Sequence, residues 1–194
     1  MPLWGASDAD ESKPKWLTTA EKKTVYATTA GWVHEAWNAD MGNDNTSAQV
    51  EVLACASALT TSLGAADITS LEFVTTSWDA SEGGTFSVLV RWNEAVDVVE
   101  VGSGLKINLT RTPDGGSAAS HTLRYASGTG TNELTFSLAI AGGVAAADTV
   151  FSLLAQNVVK AGATTLKDAG TATDSAVEIT SAQCTAAGTI TATA

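Results

Sequence analysis

The segment HTLRYASGTGTNELTFSLAI (residues 121–140) consists of two alternating stretches that flank a turn of glycine, serine and threonine. Alternation of apolar and polar residues at a period of two is typical of a half-buried strand. Leu123 and Tyr125 are expected to face a core from the first strand, and Leu134 and Phe136 from the second. The glycines of SGTGTN supply the positive-φ positions that a tight connection needs. The segment therefore predicts a β-hairpin, and none of its residues indicates catalysis.

The same alternation recurs along the chain from about residue 69. It is found in FSVLVRW (86–92), LKINLT (105–110) and VEI (177–179), each bounded by turns rich in Gly, Asn, Asp or Pro. Many short half-buried strands with turn residues between them predict an all-β fold, an antiparallel sandwich. The expected inward positions, besides those of the hairpin, are Phe86, Val88, Val90, Trp92, Leu105, Ile107, Leu109, Leu138, Ile140, Val177 and Ile179.

Composition and charge restrict the classes of partner. The 194 residues include 21 acidic and 10 basic side chains, which gives a net charge of −11. Such a charge argues against binding to nucleic acid through counterion release and against binding to anionic membranes. The chain has two cysteines, Cys55 and Cys184. Buried thiols are favoured over a disulfide, because free Cys is among the most buried residue types. A bridge between the two cysteines stays open at this point.

The chain divides into four expected parts: an extended arm (1–16), a small N-terminal β-module (17–66), a β-domain (67–182) and a C-terminal tail (183–194). In the module, Thr18 or Thr19 can cap a short helix with Glu21 in its first turn. Two strands are expected after it, TVYATTAGWVHEAW (24–37) and AQVEVLACASAL (48–59). The polar segment between these two strands, residues 38–47, is predicted to form a long loop.

The arm carries two of the six tryptophans, Trp4 and Trp16, although its composition is otherwise that of a solvated segment. Two interpretations are open. Both tryptophans pack on the chain's own domain, or they anchor the arm on a partner, since Trp is enriched at binding hot spots. The second interpretation makes Trp4 the leading hot spot. The predicted partner-binding residues are Trp4, Trp16, Pro2 and Leu3.

Other polar residues give weak signals for chemistry. Asp40, Asn43, Asp44 and Asn45 lack the spacing and the closing glutamate of an EF-hand loop. His34 and His121 read as ordinary strand residues, because neither has a second ligand at metal-binding spacing. No nucleophile elbow or HExxH motif is found in the sequence. We therefore expect a protein that is not an enzyme, with no metal, no cofactor and no catalytic residues.

Four segments in the β-domain resemble a family of bacterial immunoglobulin-like repeats found in large surface and adhesion proteins. They are VRWNEAVDV, LKINLT, RYASGTGTNELTFSLAIAGG and LKDAGT, and they occur in the order of that family over about residues 69–180. Trp92 stands where the family commonly has phenylalanine, and LKDAGT lacks the final asparagine. The resemblance implies an immunoglobulin-like β-sandwich. Such domains serve as spacers and as binding platforms, so the likeness is specific for fold and not for function.

The first 57 residues resemble small virion proteins of tailed phages, notably those of marine cyanobacteria. The segments that carry this likeness are MPLWG, the Asp-rich stretch after it, KPKWL, and the pair AGWV and EVLA. The resemblance implies a virion structural protein, in first place a capsid decoration or cement protein that binds the major capsid protein. Contacts with further copies, as a homo-oligomer or as lattice neighbours, are part of the same expectation.

Two alternatives to a decoration protein stay open, a neck or tail protein of the virion and a cell-surface adhesion or carbohydrate-binding module. The start of the chain lacks the basic n-region and the apolar h-region of a secretory signal. We therefore expect synthesis in a host cytoplasm and localisation in the virion.

Overall fold

The computed structural model describes residues 13–18, 21–28, 31–34, 51–55 and 65–194. Strands dominate this part of the chain, so the prediction of an all-β fold is confirmed. The helices and strands, in chain order, are α1 (Glu21–Thr24), β1 (Val25–Thr28), β2 (Gly31–His34), β3 (Glu51–Cys55), β4 (Ile68–Phe73), β5 (Trp78–Asp79), β6 (Gly83–Val99), β7 (Leu105–Thr112), β8 (Ala119–Ser127), β9 (Thr131–Ala141), β10 (Val150–Ser152), β11 (Gln156–Asn157), β12 (Val159–Lys160), β13 (Thr165–Asp168), β14 (Glu178–Ile179), α2 (Ser181–Ala187) and β15 (Thr189–Thr193).

A large curled sheet contains most of these strands, in the order β3-β2-β1-β6-β9-β8-β7-β10-β15-β5. Strands β4 and β13 pair with β6, and β12 pairs with β7, while β11 and β14 form a small sheet of their own. Most pairs are antiparallel, but β1 runs parallel to β6 and β15 runs parallel to β5. The sheet as a whole is therefore mixed, but both parallel pairs involve a strand outside residues 67–182, and the strand pairs within those residues are antiparallel as expected. The immunoglobulin-like form of the fold stays a prediction.

The hairpin predicted from residues 121–140 is formed by β8 and β9, with Tyr125 opposite Phe136. Leu123, Leu134 and Phe136 are fully buried, and Tyr125 is partly buried with its ring centroid 6.4 Å from that of Phe136. Gly128 adopts a φ of 117° in the connection. A Cβ atom at this glycine would lie 1.9 Å from the carbonyl oxygen of Glu133, so only glycine fits there.

The core contains nearly all of the side chains that the alternation predicts to point inward. Phe86, Val88, Val90 and Trp92 are buried, whereas Leu138 and Val177 are only partly buried against the core. The sheet curls far enough to bring distant strands together. The ring centroid of Phe86 on β6 is 4.9 Å from that of Phe151 on β10. Trp78 on β5 packs against both rings, with centroid distances of 5.5 and 5.8 Å.

A short segment at Ala80 links two distant parts of the curled sheet. The Ala80 N–H donates to the carbonyl oxygen of Thr193 on β15 at 2.9 Å. The Ala80 carbonyl accepts from the N–H of Gly143, just beyond the end of β9, at 2.8 Å. Because β15 and β9 are far apart in the strand order, these two hydrogen bonds hold the sheet in its curled form.

Residues 183–194 do not form the predicted tail. Helix α2 begins at a capping box in which Thr180 and Gln183 satisfy each other's backbone N–H groups. The Gln183 side-chain amide also donates to the carbonyl oxygen of Ile68 at 2.6 Å. Strand β15 then pairs with β10 and β5, and Ala192 is buried. Its sequence, TITAT, alternates, but over five residues with Ile190 as the one large apolar side chain, and this short signal is why the strand was not predicted.

The N-terminal module contains a short helix and three paired strands in its described residues. The Thr18 hydroxyl accepts from the Glu21 N–H at 3.2 Å, and the Glu21 carboxylate accepts from the Thr18 N–H at 2.7 Å, which confirms the predicted cap. The segment expected as one strand over 24–37 instead contains two strands, β1 and β2, paired antiparallel. Gly31, at the start of β2, has a φ of 132°, which other residues rarely adopt. The second expected strand is confirmed as β3, paired with β2.

The module joins the large sheet at an irregularity in β6. The register between β6 and β9 breaks between Arg91 and Val96, and within this break Glu94 pairs with Ala27 of β1. Ala66 was expected in the module, but it is buried in the core of the β-domain, and its carbonyl accepts from the Ala176 N–H at 2.7 Å. The division of the chain into arm, module and domain otherwise stays a prediction.

Candidate partner-binding surface

A turn at residues 14–17 presents the most exposed large aromatic side chain among the described residues. The Leu17 N–H donates to the Pro14 carbonyl at 3.3 Å, which places Lys15 and Trp16 in the centre of the turn. Trp16 is 63% exposed, whereas the other described tryptophans are buried. We refer to Lys15 and Trp16 together as the Trp16 knob.

The residues on both sides of the Trp16 knob are fixed to the module. The ammonium group of the buried Lys13 donates to the Lys22 carbonyl in α1 at 2.6 Å. On the other side, Leu17 packs against Val25 and Trp32, the small core of the module. A turn that is held before binding loses little conformational freedom when it meets a partner, and this favours affinity.

Of the predicted partner-binding residues, the structure places Trp16 on an accessible surface. Trp4, Pro2 and Leu3 lie outside the described residues, and so does the loop that contains Asp40, Asn43, Asp44 and Asn45. The exposure of Trp16 fits the interpretation in which it contacts a partner. Partner binding itself stays a prediction.

The two histidines take ordinary positions in strands. His34 on β2 is buried, and its Nε2 atom is 2.8 Å from the Thr24 hydroxyl. His121 lies on β8, where burial and the positive charge of Arg111 lower the pKa of its imidazole. Within the described ranges, no group of three or more His, Cys, Asp or Glu residues could hold a metal ion. No helix of this part of the chain is long and apolar enough to cross a membrane.

A second surface feature, which the sequence did not indicate, lies where β10 and β15 separate. The last paired residues of the two strands are Ser152 and Thr189. Beyond this pair, β10 is followed by β11 in the chain, whereas β15 is preceded by α2. The gap between them is an open apolar notch of about 330 Å³. It is lined mainly by Leu153, Leu154, Ala155, Cys184, Thr185 and Gly188, and we refer to it as the β10–β15 notch. Its lining comes from two segments some thirty residues apart, which no local sequence pattern can bring together.

Cys184 contributes a free thiol to the wall of this notch. The residue is buried, and burial raises the pKa of its thiol. A buried and free Cys184 agrees with the preferred interpretation of the cysteines. The side chain of Cys55 lies outside the described part of the chain.

Comparison with known proteins finds no family model that matches the chain, and no curated protein or solved structure that matches it. The function therefore has to be argued from the residues and their geometry.

Proposed function

We propose that this chain is a non-enzymatic structural protein of a phage virion that attaches to its assembly through the Trp16 knob. The most specific form of the proposal is a capsid decoration or cement protein bound to the major capsid protein. The observation that carries it is a 63% exposed tryptophan on a turn fixed at both ends. The resemblance of residues 1–57 to small virion proteins supplies the class of assembly.

The knob has the chemistry of a binding hot spot. A large aromatic side chain buries about 150–250 Å² when it is fully covered. At about 25 cal/mol per Å² this corresponds to roughly 4–6 kcal/mol as an upper bound, from which the cost of association must be subtracted. Lys15 beside it adds a positive charge that can meet an acidic partner.

The rest of the molecule suits a spacer or platform. The curled sheet is linked through Ala80 and is filled by an aromatic core, so it can hold the module at a fixed place on a particle. The same parts would serve in a neck or tail, and an image of an intact particle that locates this chain distinguishes those sites from the capsid.

An exposed tryptophan also fits the second candidate, an adhesion or carbohydrate-binding module. A glycan array tests that candidate directly. Binding to a glycan that Trp16→Ala abolishes, together with unchanged assembly into particles, would favour it over a virion role.

The substitution Trp16→Ala tests the virion proposal. We expect incorporation into particles to fall at least about ten-fold, because the apolar anchor is removed. The melting curve of the free protein should change little, since the side chain is mostly exposed. Incorporation is measured by quantitative gel analysis of purified particles.

The matched control for this test is Val99→Ala, which shortens another exposed apolar side chain, 60% exposed, on the β-domain. It should leave incorporation unchanged. A Trp16→Ala protein that melts several degrees lower and still enters particles normally would show that Trp16 belongs to its own fold.

A further inference from the structure

We propose that the β10–β15 notch accepts the Trp16 knob of a second copy, so that copies of this chain bind one another head to tail. This inference rests on the proposed function, because it names a neighbouring copy as one partner of the knob. The two halves of the interface, the knob and the notch, are both surfaces of this one chain.

The shape and lining of the notch fit an indole ring. Its inner wall contains the buried side chains of Leu153 and Cys184. Leu154 at the notch is 58% exposed, which leaves apolar surface there for a partner to cover. The volume of about 330 Å³ leaves room for one large aromatic side chain.

The notch also offers an acceptor for the indole N–H. The Thr185 hydroxyl donates its hydrogen to the Ser181 carbonyl at 2.9 Å, and the lone pairs of the same oxygen can still accept a hydrogen bond. Both residues line the notch. A buried tryptophan usually finds a partner for its ring N–H, and the Thr185 oxygen can provide one.

Charge favours the same pairing. The described residues 13–18 and 21–28 around the knob have four lysines and one glutamate, while Asp8, Asp10 and Glu11 of the arm lie outside the described residues. Residues 65–194 have thirteen acidic and six basic side chains. Glu178, an exposed residue on β14, lies three residues before Ser181 of the notch. Lys15 next to the ring would thus approach an acidic region. Opposite charges across an interface increase the association rate and make it sensitive to salt.

The interface would be heterologous, because the knob and the notch are different surfaces of the same molecule. Such contacts produce rings or open chains. One aromatic anchor covers much less than the roughly 1,000 Å² expected of a stable complex, so the contact should be weak in dilute solution. On a particle, where neighbouring copies are held close together, a weak contact is sufficient because the local concentration is high.

The test uses two complementary variants of the full chain. Trp16→Ala removes the knob and keeps the notch, while Ala155→Arg blocks the notch and keeps the knob. Sedimentation velocity over a range of concentrations should show association of the unchanged protein that weakens with added salt. Each variant alone should stay monomeric, and an equimolar mixture should form dimers and nothing larger, because each pair leaves only the two inactive surfaces.

Thr173→Arg is the control for Ala155→Arg, because it makes the same change of charge on another exposed residue and should associate normally. If Ala155→Arg does not fold, as judged by circular dichroism, Leu154→Arg replaces it. A protein that is monomeric at all concentrations up to about 1 mM overturns the inference, and so does a Trp16→Ala variant that associates as the unchanged protein does.

The same variants separate this inference from the proposed function. If Trp16→Ala abolishes incorporation into particles while no self-association is detected, the knob binds another virion protein and only the head-to-tail contact is wrong. If each variant alone stays monomeric and their mixture forms dimers, but the incorporation of Trp16→Ala into particles is unaffected, the contact exists and the virion proposal is wrong.

Discussion

The side chain of Gln156 takes the place of a strand residue beside β7. Its carbonyl oxygen accepts from the Asn108 N–H at 2.6 Å, and its amide group donates to the Asn108 carbonyl at 2.7 Å. These are the two hydrogen bonds that a backbone peptide of a neighbouring strand would make. On either side of Asn108, β10 and β12 pair with β7 through their own backbones. Gln156 therefore bridges the gap between two short strand pairs.

Replacing Gln156 by alanine should destabilise the protein by about 2 kcal/mol, because each of the two hydrogen bonds contributes about 1 kcal/mol. Asn157→Ala changes the exposed neighbouring side chain and should cost less than about 0.5 kcal/mol. Urea denaturation measures both. Equal midpoints for the two variants would show that water replaces the amide at no cost.

At the residue scale the sequence predicted which side of a strand a residue occupies, but not always how far it is buried. The alternation in FSVLVRW (86–92) puts Arg91 on the face opposite Phe86 and Trp92, yet Arg91 is only 7% exposed. Burial opposes its charge, but the carboxylates of Glu133 and Glu72 raise the pKa of the guanidinium. The two glutamates come from different strands, so no local pattern could indicate the cluster.

Strand β15 shows why an element can matter more than its sequence indicates. It lies between β10 and β5, and its Thr193 carbonyl accepts from Ala80. Without β15, the two strands that carry Trp78 and Phe151, β5 and β10, would each have an unpaired edge. The strand is therefore part of the curled sheet and not an addition to it.

Deleting residues 189–194 should prevent cooperative folding, because the core aromatic residues Trp78 and Phe151 would then border an open sheet edge. Deleting Ala194 alone is the control, since this residue is exposed and lies beyond β15. Circular dichroism with thermal melting, together with solubility, distinguishes the two. A soluble 1–188 protein with a melting curve like that of the full chain would mean that the sheet closes without β15.

Elements with strong alternation were predictable, and elements defined by their neighbours were not. Strands β6, β7, β8 and β9 are long enough for a period of two to be recognised, and their inward residues were assigned correctly. Strand β5 has two residues, and β10 has three. Their pairing partners decide their conformation, and those partners are distant in sequence. For the same reason the β10–β15 notch was missed, whereas Trp16 was found as a large apolar residue in a polar segment.

At the scale of the whole molecule, the described residues form two separate hydrophobic clusters. Among them, the large cluster draws on residues from Ala66 onward, and the small one consists of Val25 and Trp32 with Leu17, Leu53 and Ala54 packed against them. The register break in β6 provides the backbone pairing that joins β1 to the larger sheet. Since each cluster has its own apolar side chains, the larger part does not need the smaller one for its core.

A fragment of residues 65–194 should therefore fold on its own and unfold cooperatively. A fragment of residues 1–64 should not, because so small a domain buries too little of its surface to be stable on its own. Thermal melting and limited proteolysis of both fragments give the answer. Non-cooperative melting of 65–194 would show that the module and the sheet fold as one unit.

The position of β15 also sets an order of events during synthesis. Domains tend to fold as the chain emerges from the ribosome, beginning with the N-terminal parts. Here the strand that fits between β10 and β5 follows all the other described strands of the sheet in the chain, so it is translated after them. Until it emerges, both neighbours have open edges, which readily pair with other chains. A nascent chain is thus most vulnerable to misassembly just before β15 emerges, when nearly all of the described core residues have already been made.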